Sequence, residues 1–530
     1  MRGSSDADQR PGASAPPSRH SAGSAAKGTA QLLAANVTSN ALAAARGLLM
    51  ARGMSPDQFG VWSLMASALG YANYVDFGLN TGYLLTAAGQ AARGEAEQVR
   101  RTAAQVLVGS VTLSVIVASV VCVVPMLAAP LWSVRHLAIV LSVALLASSL
   151  SNYFSATARL DGAWHRIAGG SVIGAVATTL AIAALAFSGG LTALSAGAAT
   201  VGGIVLTAAA LGWRLPLPFE WPPDRDLLGR ILLAGGPVIA MPVAILLFQN
   251  LDRWIVATVV TPGALGTYGL GATLGGFLYL IPGPLAIVLF TRQIGTHAVS
   301  ADVTATRHLV LPPLHALSSF MALIAGAVVI ALPVLATRIA PAYGGLGLVA
   351  VCHVIGNCLL FSGPVASQYL AAVGRTRGVL TVLAAAMATE AVLVVSLLKS
   401  GAGITGAAVA VLASDLFYGV GLVTLCVSLF HSTVRERSRV VAGFFVPFVI
   451  SLSLALLLFT LLTPVPGRTW LVDVTRLVWV ELLYLVVAGA GLLTWSRTTG
   501  LLTHPLVAGA FRRYAPSSIA RLLLGPVHHD

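Results

Sequence analysis

Apolar stretches of about 20 residues with few charges recur from Gln31 to Trp495, and no other feature restricts the folding of this chain as severely. A stretch of that length crosses a bilayer core about 30 Å thick as a helix. Lipid offers the backbone no hydrogen bonds, so spanning elements are helices or a closed barrel, and runs this long and unbroken are helical. Composition agrees: 57% of the 530 residues are apolar, 9% are charged, and the mean hydropathy is +0.87. The chain reads as an all-α polytopic membrane protein.

The runs between charge clusters give about fourteen spans. They lie near 31–51, 58–86, 102–130, 136–157, 167–188, 191–213, 228–256, 263–290, 309–335, 347–372, 378–398, 403–430, 440–462 and 470–495. Joining loops of at most roughly twenty residues leave no room for a soluble domain. Basic residues alternate with the loops: 23 fall on one side with both tails, 5 on the other, and Arg46, Arg253 and Arg476 lie within or at the edge of spans. The side rich in Lys and Arg is cytoplasmic by the positive-inside rule, which predicts both termini in the cytoplasm. The net charge of +13 then reflects topology and calls for no nucleic-acid partner. Residues 1–30, rich in Ser, Ala, Gly and Pro, are expected to form a disordered cytoplasmic tail. A cleaved signal peptide is not expected, because the first apolar run starts late. Cys122, Cys352, Cys358 and Cys426 sit inside apolar runs with no CxxC spacing, the pattern of buried thiols.

One short pattern occurs twice. "SPDQFGVW" (Ser55 to Trp62) and "TPGALGTY" (Thr261 to Tyr268) match at a constant offset of 206. In each, a hydroxyl residue able to cap a helix precedes Pro, which suits the first turn, and in the first copy Gln58 is placed to complete a capping box. Gly60 and Gly266 permit close backbone contact one turn in. The copies open spans 2 and 8, so the repeat unit is six spans. Six is even, which makes the copies parallel, related by an axis along the membrane normal. This gives two six-helix lobes, 31–213 and 228–430, joined by a cytoplasmic linker at 214–227. An extra pair at 440–495 and a basic cytoplasmic tail at 496–530 complete the chain.

Polar residues inside spans are expected to face a central cavity. Asn36, Ser39, Asn40 and Arg46 fall within about 120° of one face of span 1, and Trp62, Asn73, Asp76, Asn80 and Tyr83 within about 80° of span 2. The second lobe offers Gln249, Asn250, Asp252 and Arg253 at the end of span 7, with Arg253 one position from the place that matches Arg46. An intramembrane Arg suits a phosphate or pyrophosphate, which its planar fork can grip. The other readings are an ion pair with Asp76 or Asp252 that locks helices together, or a side chain snorkelling to the interface. Glu390, Asp415 and Asp252 are candidates for ion coupling, since an intramembrane carboxylate can take up a proton; packing roles stand beside this. Glu481 belongs to the same class, whereas Asp473 and Arg476, three apart, read as a local ion pair. No phosphate loop, HExxH, nucleophile elbow or aspartate-rich metal loop is present, so no enzyme, metal site or cofactor is expected. The closing "VHHD" reads as a solvated end.

The stretch "ARGLLMARGMSPDQFGVWSLMASALGYANYVDFGL" resembles the amino-terminal signature of bacterial polysaccharide-biosynthesis flippases: an Arg, an outer hairpin, a Gly-x-aromatic and a D-x-G-L. "LDRWIVATVVTPGALGTYGLGATLGGFLYLIPGPLAIVLFTR" is similar to the D-R hairpin that opens their second lobe. These proteins belong to the multidrug/oligosaccharidyl-lipid/polysaccharide (MOP) superfamily. The resemblance implies a two-lobed, V-shaped transporter in the bacterial inner membrane. It would move undecaprenyl-pyrophosphate-linked sugars to the outer leaflet by alternating access, driven by an ion gradient, with Arg46, Asp76, Asp252 and Arg253 at patterned positions. Partners expected are the lipid-linked glycan and membrane lipid, with polysaccharide polymerase and export machinery beyond them and a monomer as the working unit. A drug or metabolite/cation antiporter on the same scaffold is the alternative, and a membrane glycosyltransferase or polymerase a further one.

Overall fold

Ser55 and Thr261 start their helices in the same way. The computed structural model describes residues 19–128, 132–213, 215, 217–279, 306–360, 363–462 and 470–498. In it, α1 is Arg19–Gly53 and α2 is Pro56–Tyr71. Ser55 Oγ accepts the Gln58 N–H at 3.4 Å, and Pro56 occupies the first turn, where its missing donor is not needed. Thr261 Oγ1 accepts the Ala264 N–H at 3.4 Å and opens α9, Pro262–Tyr279. The expected capping role of Gln58 is not realised. Its Oε1 instead accepts the Ala193 N–H at 2.9 Å, one of the unpaired first-turn donors of α7, Ala193–Gly212. Residues 19–30, expected in the disordered tail, are helical: their Ala-rich sequence favours helix, and Gly28 packs on the Trp164 ring where a Cβ would collide. Residues 1–18 of that tail lie outside the described residues.

The other helices are α3 Leu79–Ala92, α4 Ala96–Ala128, α5 Trp132–Leu160, α6 Trp164–Phe187, α8 Arg225–Ala257, α10 Arg307–Ile339, α11 Leu346–Leu359, α12 Gly363–Ala372, α13 Thr376–Lys399, α14 Gly403–Val427, α15 Val434–Leu462 and α16 Trp470–Thr498. Expected span 2 is divided between α2 and α3, and span 10 between α11 and α12. Residues 280–290 of span 8, the basic tail from 499 and the loop at 463–469 lie outside the described residues. Among the described residues, eleven helical stretches are long and apolar enough to cross a membrane. The three expected spans not among them are α1, α2 with α3, and α9. Span 2 is broken into two shorter helices, and span 8 is described only as far as Tyr279.

Helices α1 to α7 pack mainly among themselves, as do α8 to α14; α2 with α9 and α3 with α8 are the main crossings between the two sets. The extra pair, α15 and α16, rests on α10. There Ser451 Oγ meets the Ala322 carbonyl and the Tyr484 hydroxyl, each at 2.5 Å, and Tyr484 donates to the Leu323 carbonyl at 2.9 Å. Gly326 leaves room for that hydroxyl. The paired polar groups tie helices together where apolar burial gives no advantage over lipid.

The two repeat copies meet each other. A Cβ on Gly60 would strike the Pro262 carbonyl, and a Cβ on Gly266 would strike the Pro56 carbonyl, so the contact is reciprocal about the pseudo-twofold axis. Next along the same faces, Ser63 packs on Gly269, whose Cβ would come 2.5 Å from the Ser63 Cβ. An apolar cluster closes this hairpin end across both lobes: Met54, Phe59, Leu191, Leu270, Tyr343 and Leu346 are buried together. Tyr343 donates to the Met54 carbonyl at 3.1 Å and stands edge-on to Phe59 at 5.9 Å.

At the opposite, basic end, α3 crosses α8. Phe77 and Gly78 take left-handed backbone, φ 48° and 93°, which stops α2 from running on into α3. Gly78 lies against Gly235, where a Cβ would come within 2.8 Å of backbone.

Because each crossing glycine faces a carbonyl rather than a movable side chain, Gly60→Ala and Gly266→Ala are expected to overpack the junction by about 1–3 kcal/mol. Thermal unfolding of the purified protein should show a lower Tm for each. Gly202→Ala, whose Cβ meets nothing within 4 Å, should leave Tm unchanged. Equal Tm for all three would argue against the crossing.

Candidate functional site

The end of α8 brings Gln249, Asn250, Asp252 and Arg253 to one side of a cavity of about 230 Å³ in the second lobe. Glu390 from α13, Asp415 from α14, and His353 and Asn357 from α11 line it as well. The three carboxylates singled out in the sequence are thus gathered at one place, from three helices. The Tyr268 hydroxyl on α9 donates to Asp252 Oδ2 at 2.6 Å, and Glu390 Oε1 accepts the Asp252 backbone N–H at 3.1 Å. Asp415 approaches Gly356 so closely that a Cβ there would clash with its carboxylate. Tyr268 also lies edge-on to His353, centroids 4.9 Å apart.

Three buried polar atoms in this group have no hydrogen-bond partner: Asp252 Oδ1, Arg253 Nε and His353 Nε2. Three carboxylates and one guanidinium line the same cavity. Such a donor set suits protons or a cation, and it would repel an anion unless the carboxylates were discharged. Among the described residues no three His, Cys, Asp or Glu side chains form a metal-ligand set.

The first lobe is arranged differently. Arg46 Nη1 donates to the Ala175 carbonyl at 3.2 Å and to Thr179 Oγ1 at 3.4 Å, so it is held by α6. Asn36 is exposed and Asn40 half-buried on α1. Asn73 is exposed, and its carbonyl accepts from Asn152 Nδ2 at 2.8 Å. Asp76 caps α3: its carboxylate accepts the Gly78 N–H at 3.2 Å, the Asn80 N–H at 3.1 Å and Asn80 Nδ2 at 2.6 Å. Asp76 and Asn80 therefore hold the D-x-G-L break, and the span 2 stripe is not one continuous face.

Sequence reading did not single out Tyr268 or His353 for the site. Tyr268 was absorbed into the hairpin pattern as its aromatic. His353 could have been found as an ionisable residue inside an apolar run, "GLVAVCHVIG".

The family model described as "Polysaccharide biosynthesis protein" matches residues 49–291, from the last turn of α1 through both hairpins. The match covers a little under half of the chain and marks this region as similar to that family. Solved structures share its fold, among them the following two. Lipid II flippase MurJ, in an inward closed conformation, superposes with a TM-score of 0.65 at 13% identity, covering 86% of this chain and 98% of MurJ. A multidrug resistance MATE family transporter of the MOP superfamily, inward-facing, gives 0.60 at 14% identity, covering 76% and 95%. No curated protein matches the chain in sequence. The likeness is one of fold, and it agrees with the apolar helical stretches in describing a multi-pass membrane protein.

The Tyr268 to Asp252 hydrogen bond should carry measurable weight. Tyr268→Phe keeps the ring against His353 but strips the donor, leaving Asp252 with both oxygens unpaired. A loss of about 1–3 kcal/mol is expected. A thermal-unfolding cycle with Asp252→Asn should show coupling of at least about 0.5 kcal/mol, and simple additivity would mean that the bond carries no weight.

Proposed function

We propose that this chain is an ion-coupled flippase that moves a polyprenyl-pyrophosphate-linked oligosaccharide from the cytoplasmic to the outer leaflet of the bacterial inner membrane. The observation that carries the reading is the polysaccharide-biosynthesis region at 49–291, placed on a fold shared with a lipid II flippase. The charge alternation sets the hairpin end outside and both termini inside the cell.

A cavity of about 230 Å³ is small for an oligosaccharide head group, so the carboxylate cavity serves the driving ion rather than the glycan. Asp252, Glu390 and Asp415 take up a proton or sodium there. The glycan passes between the lobes, along Asn36, Asn40 and Asn73, and Arg46 supplies the cationic contact for pyrophosphate. Arg253, read from sequence as a second such contact, stands among carboxylates, which favours a role in the ion cavity. Energy comes from the gradient across the membrane, with polymerase and export machinery consuming the product outside.

The acidic cavity also supports a second reading, a drug or metabolite/cation antiporter, for which a MATE transporter provides the fold analogy. The experiment uses proteoliposomes and a fluorescent polyprenyl-pyrophosphate-linked sugar as probe. Asp415→Asn and Glu390→Gln are expected to abolish stimulation by an imposed proton or sodium gradient, while Arg46→Ala slows movement of the probe at least about tenfold, the scale of a lost charged contact. Gradient dependence unchanged in both carboxylate variants would remove the coupling role. Drug efflux without any probe movement would replace the flippase with the antiporter.

A further inference from the structure

Asp252 and Arg253 are neighbours in the chain, yet their side chains turn to different lobes. The Asp252 carboxylate accepts from Tyr268 within its own lobe, where its backbone N–H also donates to Glu390. Arg253 Nη1 donates to Asn250 Oδ1 at 3.1 Å and, across the lobe boundary, to Ser67 Oγ on α2 at 3.2 Å. From Ser67 the connection runs along α2. Ser67 Oγ donates to the Ser63 carbonyl at 3.0 Å, and Ser63 Oγ donates to the Gly60 carbonyl at 2.8 Å, at the crossing itself.

The 206-residue offset places this contact in the repeat. Gly47 matches Arg253 and Thr273 matches Ser67. Gly47 also lies near Thr273, 3.8 Å from the Thr273 Cγ2 to where a Cβ would be. The two lobes thus make the same contact twice about the axis, once without a side chain and once with a guanidinium.

Arg253 makes no ion pair among the described residues, although three carboxylates share its cavity. Its Nε and the Asp252 Oδ1 are both buried and unpartnered. A guanidinium held only by neutral oxygens stays on them while its acidic neighbours are discharged. Once those are ionised, charge-assisted hydrogen bonds, roughly twice as strong as neutral ones, draw it away. The groups facing it are Glu390 on α13, Asp415 on α14, Tyr268 on α9, His353 on α11 and, from α2, Tyr71.

We propose that Arg253 is a latch between the lobes. With the carboxylates discharged by the driving ion, it bonds Ser67 and holds α2 against α9; with them ionised, it swings to Asp252 and releases the hairpin end. This rests on the coupled-transport reading and assigns Arg253 to conformation rather than to pyrophosphate.

The test reads the distance between the lobes directly. Spin labels are attached through Ser188→Cys and Ser400→Cys, exposed in hairpin-end loops of the first and second lobes, in full-length protein with Cys122, Cys352, Cys358 and Cys426 replaced, reconstituted in proteoliposomes. Pulsed dipolar spectroscopy is expected to show Ser67→Ala raising the ratio of separated to closed hairpin ends on the order of tenfold, the weight of one hydrogen bond to a charged group. Ser67→Thr, which keeps the hydroxyl, should restore the closed distribution, and Glu390→Gln with Asp415→Asn should deepen it. An unchanged distribution in Ser67→Ala overturns the latch. So does a shift that Ser67→Thr leaves in place, because packing rather than the hydroxyl would then be responsible. The flippase reading fails separately: if the wild-type protein does not move the polyprenyl-linked probe while the distances respond to Ser67→Ala, the latch stands on a transporter of another substrate.

Discussion

The architecture depends on two helices touching through their backbones. Inside lipid, an apolar side chain gains little by leaving the hydrocarbon, so helices associate through close packing and hydrogen bonds. At the crossing of α2 and α9 each glycine lies where any side chain would collide with the partner's carbonyl. That close approach governs the contacts on both faces. Ser63 can pack on Gly269, and one turn on Ser67 comes within reach of Arg253. The apolar closure over the hairpin end, with Tyr343 bonded to the Met54 carbonyl, depends on the same closeness.

The repeat preserves the mechanics of the two lobes while dividing their chemistry. Offset by 206, Arg46 corresponds to Asp252, Gly47 to Arg253 and Trp62 to Tyr268. Arg46 turns into its own lobe to bond α6, and the Asp252 side chain likewise stays in its own lobe, accepting from Tyr268 on α9. Corresponding positions thus each bond within their own lobe, but a cation stands in one lobe and an anion in the other. Trp62 fills the hairpin-end cluster, whereas Tyr268 adds a hydroxyl that fixes one oxygen of Asp252 and leaves the other free. The carboxylate-lined cavity lies in the second lobe because its helices carry these residues on a shared frame.

Much of the fold was legible in the sequence. Span length and charge alternation are imposed by lipid, and the capping residues at 55 and 261 act locally, so each could be read from composition and spacing. What escaped were features set by distant partners. The stripe from Trp62 to Tyr83 assumed one continuous helix at 100° per residue. The left-handed backbone at Phe77 and Gly78 breaks that phase, and Trp62 and Tyr83 end in separate clusters. Gln58 looked like a local cap because its actual partner, Ala193, is 135 residues away. The carboxylates of the site were found from sequence because an intramembrane charge is conspicuous. Tyr268 was not, because an aromatic beside a glycine looks like ordinary packing until the oxygen it bonds is located.

A driving ion can move a protein between two states only by as much as its binding differs between them. A carboxylate cavity wholly enclosed in one lobe would bind the ion equally in both, since rigid-body rocking leaves the interior of a lobe unchanged. Coupling therefore needs a group that belongs to the cavity's electrostatics and also touches the other lobe. Arg253 meets both requirements: it lines the cavity, and its guanidinium bonds α2. Tyr71, whose hydroxyl lies 3.5 Å from the Leu246 carbonyl, also crosses the boundary but is neutral and bonds a backbone oxygen in either charge state. On the proposed ion-coupled reading, the linkage between ion and conformation runs through one side chain, at the place where the two copies of the hairpin bring the lobes into contact.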